Sequence, residues 1–190
     1  MAPDLSQNKA VKLVAHAAAN KYAICATCVY NVEGILASVR AAEAKRAPLI
    51  IQLFPWAVQY ADAILVHAAR INWLAPAFGN VHGKYGPKGP QLDYERLKRV
   101  HAQVGDRVSL VLHGAGKEYF QEKLLRECID CGVAKMNIND GFNDDYLEVM
   151  REHAASTPLT GLIEKSTNAM QKSIEQYIVW TGGEGMADKM

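Results

Sequence analysis

RVSLVLHGAGKEYFQEKLLRECIDCGVAKMNIND (107–140) carries the pattern on which the fold turns. It opens with an apolar run, RVSLVLHG (107–114), and ends in a second, VAKMNIN (133–139). Between them the spacing predicts an amphipathic helix over 117–131, stopped by Gly132. Runs that are apolar throughout, rather than alternating, describe strands covered on both faces. Two such strands joined through a helix form a βαβ unit, and its strands run parallel.

The same alternation continues outward in both directions. A helix is predicted over 91–104, behind a polar loop rich in glycine and proline, NVHGKYGPKGP (80–90), and a strand, INWLAPAFG (71–79). Further back lie a helix over 5–19, a strand over 22–30 and a helix over 32–45 with Asn31 as its N-cap. A strand at PLIIQLF (48–54) and a helix over 57–70 follow these. Beyond 140, helices at about 143–154 and 158–180 close the chain, and the tail GGEGMADKM (182–190) is expected to fray. Five strands alternating with helices predict an α/β protein with a parallel sheet under helical cover. Over residues 1–190 no linker or repeat divides the chain, so a single domain is expected.

The totals exclude several function classes. With 21 basic and 20 acidic residues, the charge balance gives no reason to expect nucleic acid or an anionic membrane surface as partner. No apolar run approaches the roughly 20 residues of a membrane span, and the first ten residues lack a signal-like apolar core, so a cytoplasmic setting is expected. Cys25, Cys28, Cys128 and Cys131 form two C-x-x-C pairs, which on spacing alone resemble a four-thiolate zinc site. The first pair, however, lies on a predicted strand, where positions three apart face opposite ways and do not chelate one ion. Reduced, mostly buried thiols are the expectation.

Two histidines stand at comparable places, His82 a few residues past one predicted strand and His113 at the end of the next. Active sites of parallel α/β proteins gather at the carboxyl ends of strands. Each histidine is followed by a glycine, Gly83 or Gly114, which lets the backbone turn sharply and approach a ligand. A lone strand-end histidine is ordinarily a loop residue with local partners; two on consecutive βα units point to metal binding or catalysis. His113-Gly114-Ala115-Gly116-Lys117 opens a predicted helix, a setting that suits a phosphate or a merely geometric turn. Asn137, Asn139 and Asp140 end the last strand at the same side, as site residues or as a capped turn. His16, His67, His101 and His153 lie on predicted helices, away from such a site.

AFGNVHGKYGP (77–87), LVLHGAG (110–116) and GVAKMNIND (132–140), in this order, resemble the C-terminal half of the class II, zinc-dependent fructose- and tagatose-bisphosphate aldolases. NKYAICATCVYNVEGILASVRAAEAKRAPLIIQLFPWA (20–57) is similar to the family's first two βα units, so the resemblance spans nearly the whole chain. It implies a (β/α)8 barrel, which takes roughly 250 residues. The expectation is therefore a partial TIM (β/α)8 barrel with about five parallel strands and C-terminal helices. Residues 1–70 match the family's first two units and 71–190 its last three, with the join between Arg70 and Ile71. The sheet order expected by family count is 6-7-8-1-2, open at both edges or closed by pairing in a homo-oligomer.

The resemblance also implies the chemistry: reversible aldol cleavage of a ketose bisphosphate to dihydroxyacetone phosphate and an aldehyde, a lyase reaction of glycolysis and carbohydrate metabolism. Zinc is the implied cofactor, with His82 and His113 as metal ligands. Gly83, Gly114, Ala115, Gly116, Asn137, Asn139 and Asp140 are the implied contacts to substrate and phosphate. The family's third zinc histidine and its catalytic aspartate belong to an H-x-D-H segment on the third strand, which has no counterpart here. The family's H-G-G-S-G has Gly116 where its serine stands, and its N-I-D-T-D has Asp140 where its threonine stands. Impaired aldol chemistry is expected, or else a non-catalytic relative that binds a phosphorylated metabolite or a partner. A flavodoxin-like domain is a distant third reading, because Tyr30-Asn31-Val32-Glu33-Gly34 supplies no phosphate-binding loop.

Overall fold

A computed structural model of the chain describes residues 8–29, 31–53, 73–81, 85–105, 109–116 and 120–190, with backbone only at 53, 103, 104 and 115. Its strands are β1 (Ile24–Val29), β2 (Leu49–Leu53), β3 (Trp73–Leu74), β4 (Ser109–Ala115) and β5 (Val133–Ile138). The helices are α1 (Lys9–Ala19), α2 (Val32–Lys45), α3 (Tyr94–Val104), α4 (Glu122–Asp130), α5 (Asp140–His153) and α6 (Leu159–Trp180). The strands form one sheet in the order β2-β1-β5-β4-β3, every pairing parallel. By family count that is the expected order, 2-1-8-7-6, read from the other edge. Every residue of β1 and of β5 is buried, so helices cover both faces of the centre of the sheet, as the unbroken apolar runs require.

Small side chains let α2 lie close to β1. Gly34, Ala37, Ser38 and Ala41 make its buried face. Ser38 Oγ donates to the Gly34 carbonyl at 2.7 Å and shares a hydrogen bond with Thr27 Oγ1 at 3.0 Å. The helix starts where Asn31 accepts from the Gly34 amide at 3.0 Å, as its capping role predicts. Asn8 caps α1 and Asp93 caps α3 in the same way, so α3 begins at Tyr94 rather than 91. The α5 helix starts at Asp140, ahead of the expected 143.

Three expectations need other outcomes. Of the strand expected over 71–79, the described part is 73–79, and within it only Trp73 and Leu74 pair. Pro76 has no N–H to give a ladder, and the backbone beyond it is tied locally, with Phe78 N donating to Asn80 Oδ1 at 3.0 Å and Asp93 N to Phe78 O at 2.7 Å. The helix expected over 57–70 lies outside the described residues. The tail does not fray. Gly185 N donates to Lys45 O at 2.8 Å, Ala187 N donates to Arg46 O at 3.0 Å, and a short 3-10 turn, Met186–Lys189, buries Met186. Gly182 and Gly185 hold positive φ of 75° and 71°, which turns the chain back beneath α2. Composition marked this segment as loose, but the N-terminal end of the sheet needed an apolar plug.

Candidate functional site

His113 and Asn137 each occupy the fifth position of their strands, β4 and β5, near the carboxyl ends. The β4–β5 ladder shifts register between Leu110 and Val111 and again between Leu112 and Ala115. Such irregularities bend a strand and re-aim its side chains. Here they bring His113 Nε2 to 2.5 Å from Asn137 Nδ2. Asn137 is 8% exposed and His113 is half-buried.

A third residue, which the sequence reading did not single out, completes the line. Lys135 precedes Asn137 by two positions, on the same side of β5, and its ammonium donates to Asn137 Oδ1. It is 3% exposed, and its Nζ stands 5.7 Å from the centre of the Trp73 ring. Burial pulls its pKa down to about 8, while Cys28 and Cys25 act in the opposite direction. The signal was present in the sequence, because a lysine inside a strand buried on both faces needs a partner.

Asn80 was also missed. Its Nδ2 donates to the His113 carbonyl at 3.1 Å, tying the loop after β3 to the end of β4. In the same loop, Val81 N donates to Tyr85 Oη at 2.9 Å, and the Tyr85 ring rests 5.7 Å from that of Phe120. His82 and Gly83, the other expected ligand and its glycine, lie outside the described residues.

Past His113, Gly114 adopts φ 78°, a conformation that resists a side chain. Gly116 differs: a Cβ placed there meets nothing within 4 Å. Among the described residues, neither packing nor a positive φ explains that glycine. Ala115 continues the backbone between them and pairs with Ile138. Across the sheet end, Asn139 precedes α5, with Asn143 Nδ2 donating to its carbonyl at 3.0 Å and its Oδ1 at 3.3 Å. Asp140 is the exposed first residue of that helix, where a carboxylate suits the dipole.

The thiols stand apart from this chemistry. All four cysteines are free and buried. Burial pushes Cys25 and Cys128 up to about 12, so both are protonated at neutral pH. Cys28 Sγ faces Gln52 Oε1 on β2 at 3.6 Å, whereas Cys25 lies in the main core. Two of the helix histidines have local partners: His16 Nδ1 meets Tyr22 Oη at 2.9 Å and His153 Nε2 meets Lys165 Nζ at 2.9 Å. Among the described residues, no three His, Cys, Asp or Glu side chains gather as a metal site. No helix among them is long and apolar enough to cross a membrane.

Comparison with known proteins bears on this arrangement. A family described as "Fructose-bisphosphate aldolase class-II" matches residues 8–71 and 63–186. A Coccidioides immitis (strain RS) protein named "Putative fructose-bisphosphate aldolase" is 35% identical over 297 residues, spanning 99% of this chain and 98% of its own. The crystal structure of a putative fructose-1,6-bisphosphate aldolase from Coccidioides immitis superposes with a TM-score of 0.90 at 36% identity, over 98% of this chain and 100% of that one. The YdjI aldolase from Escherichia coli K12 shares the fold, with a TM-score of 0.77 at 20% identity, over 94% and 98% of the two chains. An alignment of 297 positions against a chain of 190 opens a gap of more than a hundred positions in this chain. The two matched segments overlap at 63–71.

Proposed function

The chain belongs to the class II fructose-bisphosphate aldolase family, and on that premise we propose that it binds the dihydroxyacetone phosphate portion of a ketose bisphosphate at the ends of β4 and β5, with aldol cleavage impaired. The single observation that carries this reading is the Asn137–His113 pairing at the carboxyl ends of adjacent parallel strands, beside the open backbone at Gly116.

Each residue has a role that its chemistry permits. Asn137 Nδ2 donates one hydrogen towards His113 and has a second for a ketose oxygen. The backbone N–H groups of Gly114, Ala115 and Gly116 suit a phosphate, and the family resemblance adds Gly83. Asn139 and Asp140 form the rim at α5. An aspartate beside a phosphate is repulsive unless a cation compensates, so Asp140 favours a substrate held further from α5 than a threonine would allow.

Zinc, when bound in this family, polarises the carbonyl that develops negative charge. A catalytic zinc ordinarily takes three protein ligands. The sequence motifs offer His82 and His113, and among the described residues no group of three such ligands forms. Full cleavage also needs a carboxylate to move protons, a contribution of about 10²–10⁴ in rate, and the family's H-x-D-H segment that supplies it has no counterpart here. A third ligand donated by a partner subunit would restore the enzyme reading, and the sheet leaves β2 and β3 as its edges for a homo-oligomer to cover. Four free thiols fit a cytoplasmic setting.

Zinc content and dihydroxyacetone-phosphate-forming activity of the gel-filtered protein, with and without chelator, test this reading together with calorimetric binding of dihydroxyacetone phosphate. Binding should be measurable, zinc well below one per chain, and turnover at least about a hundredfold under that of a full-length relative. Stoichiometric zinc with chelator-sensitive turnover at the relative's rate would overturn the impairment. No binding of dihydroxyacetone phosphate by folded protein would overturn the site.

A further inference from the structure

Positions at the centre of a sheet covered on both faces are ordinarily apolar, and Lys135 breaks that rule. It is 3% exposed, on a strand whose six residues are all buried. Among the described residues its Nζ meets the Asn137 amide oxygen, the Trp73 ring at 5.7 Å from its centre and two nearby thiols, and no carboxylate. A buried ammonium without a counter-ion is destabilising, a penalty that the neutral amine escapes. The neutral amine is also a nucleophile, with a lone pair that the ammonium lacks.

We propose that Lys135 is the carbonyl-capturing residue of the candidate site, forming an imine with the ketone of its ligand. Two features of the geometry carry this. First, Lys135 and Asn137 share one side of β5, two positions apart, and Nζ reaches Asn137 Oδ1. In a primary amide the oxygen and one N–H hydrogen lie side by side on one edge. A ketone that accepts from Asn137 Nδ2 on that edge therefore has its carbonyl beside Nζ. Second, the indole of Trp73 walls the amine off from water. That burial holds its pKa at about 8, which leaves a substantial share of free amine at neutral pH, where an ordinary lysine at 10.5 leaves almost none.

The step balances without a further reactant. The amine lone pair adds to the ketone carbon, and the carbonyl pair moves to oxygen. The carbinolamine so formed loses one water, which carries off both amine hydrogens, as the C=N bond forms. Once protonated, the imine draws electrons from the neighbouring carbon, much as a metal-polarised carbonyl does. The identity of the ketone rests on the aldolase-type reading above; the reactivity of the amine does not.

Borohydride trapping tests the imine. The full chain is incubated with dihydroxyacetone phosphate at neutral pH, reduced, digested and mapped by mass spectrometry. Lys135 should gain the mass of the ligand less one oxygen, at least about tenfold faster than any other lysine. Total labelling should fall to the surface background in Lys135→Met and in Lys135→Arg, whose guanidinium is not nucleophilic. Calorimetry without borohydride reports binding separately, and dihydroxyacetone serves as a probe with the same carbonyl and no phosphate. Labelling of Lys135 that the phosphate accelerates supports both the imine and the aldolase-type reading. Labelling by dihydroxyacetone at the same rate upholds the imine and sinks the phosphate contacts of that reading. An unlabelled Lys135 in protein that binds dihydroxyacetone phosphate overturns the imine and leaves that reading standing. Labelling spread evenly over the surface lysines, or none at all in folded wild type, overturns the proposal with no variant needed.

Discussion

Tyr177 and Gly141 make a pair whose energetics can be worked from coordinates. Tyr177, on α6, is 2% exposed, and its hydroxyl is buried with no hydrogen-bond partner among the described residues. A stranded hydroxyl of this kind is destabilising by about 1–3 kcal/mol. Tyr177→Phe removes the group and keeps the ring, so it should stabilise the fold by about 1–2 kcal/mol, or about 2–6 °C in Tm for a chain of this size. Gly141, at the start of α5, faces the same hydroxyl. A Cβ there would sit 2.2 Å from Tyr177 Oη, 2.9 Å from Cζ and 3.0 Å from Cε2. Gly141→Ala gains up to about 1 kcal/mol of helix propensity but forces an overlap that typically costs about 1–3 kcal/mol. A net loss of about 1–2 kcal/mol is expected. In the double variant the worst contact disappears while those to the ring carbons stay, so the two changes should couple favourably by about 1 kcal/mol. Urea unfolding followed by far-UV circular dichroism measures all four proteins. Destabilisation by Tyr177→Phe would mean that the hydroxyl has a partner after all, and strict additivity would refute the contact between α5 and α6.

Lys135 makes stability depend on pH with a definite sign. Its pKa falls from 10.5 to about 8 in the folded chain. Below pH 8 both states hold the proton and the full burial penalty stands; between 8 and 10.5 the unfolded chain binds more protons, so stability rises; above 10.5 the penalty is gone. Relative to Lys135→Met, the wild type should therefore gain up to about 3 kcal/mol across that window, and a flat difference in urea midpoints would contradict the burial. Gly114→Ala, at φ 78°, should lose about 1–2 kcal/mol through backbone strain, whereas Gly116→Ala, with open space at its Cβ, should leave stability unchanged and weaken only anion binding. Met186→Ala should cost about 2 kcal/mol and deprotect the Ala187 amide in hydrogen exchange; an already unprotected amide in wild type would mean that the tail is loose.

The legible parts of this fold were those governed by local chemistry. Asn31 announces α2 through one side-chain acceptor, and the apolar run at 133–139 announces β5, whose six residues are all buried. Parallel order followed from alternation, and the family's motifs supplied the neighbours. The strand at 71–79 was overread because Pro76 breaks a ladder without breaking an apolar pattern. The tail was underread because glycine and charge look loose until Lys45 and Arg46, some 140 positions away, offer their carbonyls. In the site, His113 and Asn137 stood out by residue type at strand ends. Lys135 and Asn80 did not, since their importance lies in what they hold: one the Asn137 amide, the other the His113 carbonyl.

The α2 helix carries the same lesson about neighbours. One face, Gly34, Ala37, Ser38 and Ala41, is small and fits this chain's own core. Another, Val32, Ile35, Leu36 and Val39, is aliphatic at a helical period of i, i+3, i+4 and i+7, yet these residues are 38–65% exposed. Ile51 on the edge strand β2 adds to the patch at 39% exposure. A stripe of that period is the mark of a face meant for burial, and an edge strand beside it doubles the demand. The alignment with the Coccidioides immitis relative runs over 297 positions, more than a hundred beyond the 190 residues of this chain. The helix thus presents two apolar faces, of which the small one is buried. The first βα unit is thus packed locally, and the chain superposes with a TM-score of 0.90, while among the described residues the sheet ends at β2 and β3. Local sequence determines units; closure depends on units being present in number, and no residue within α2 records how many follow it.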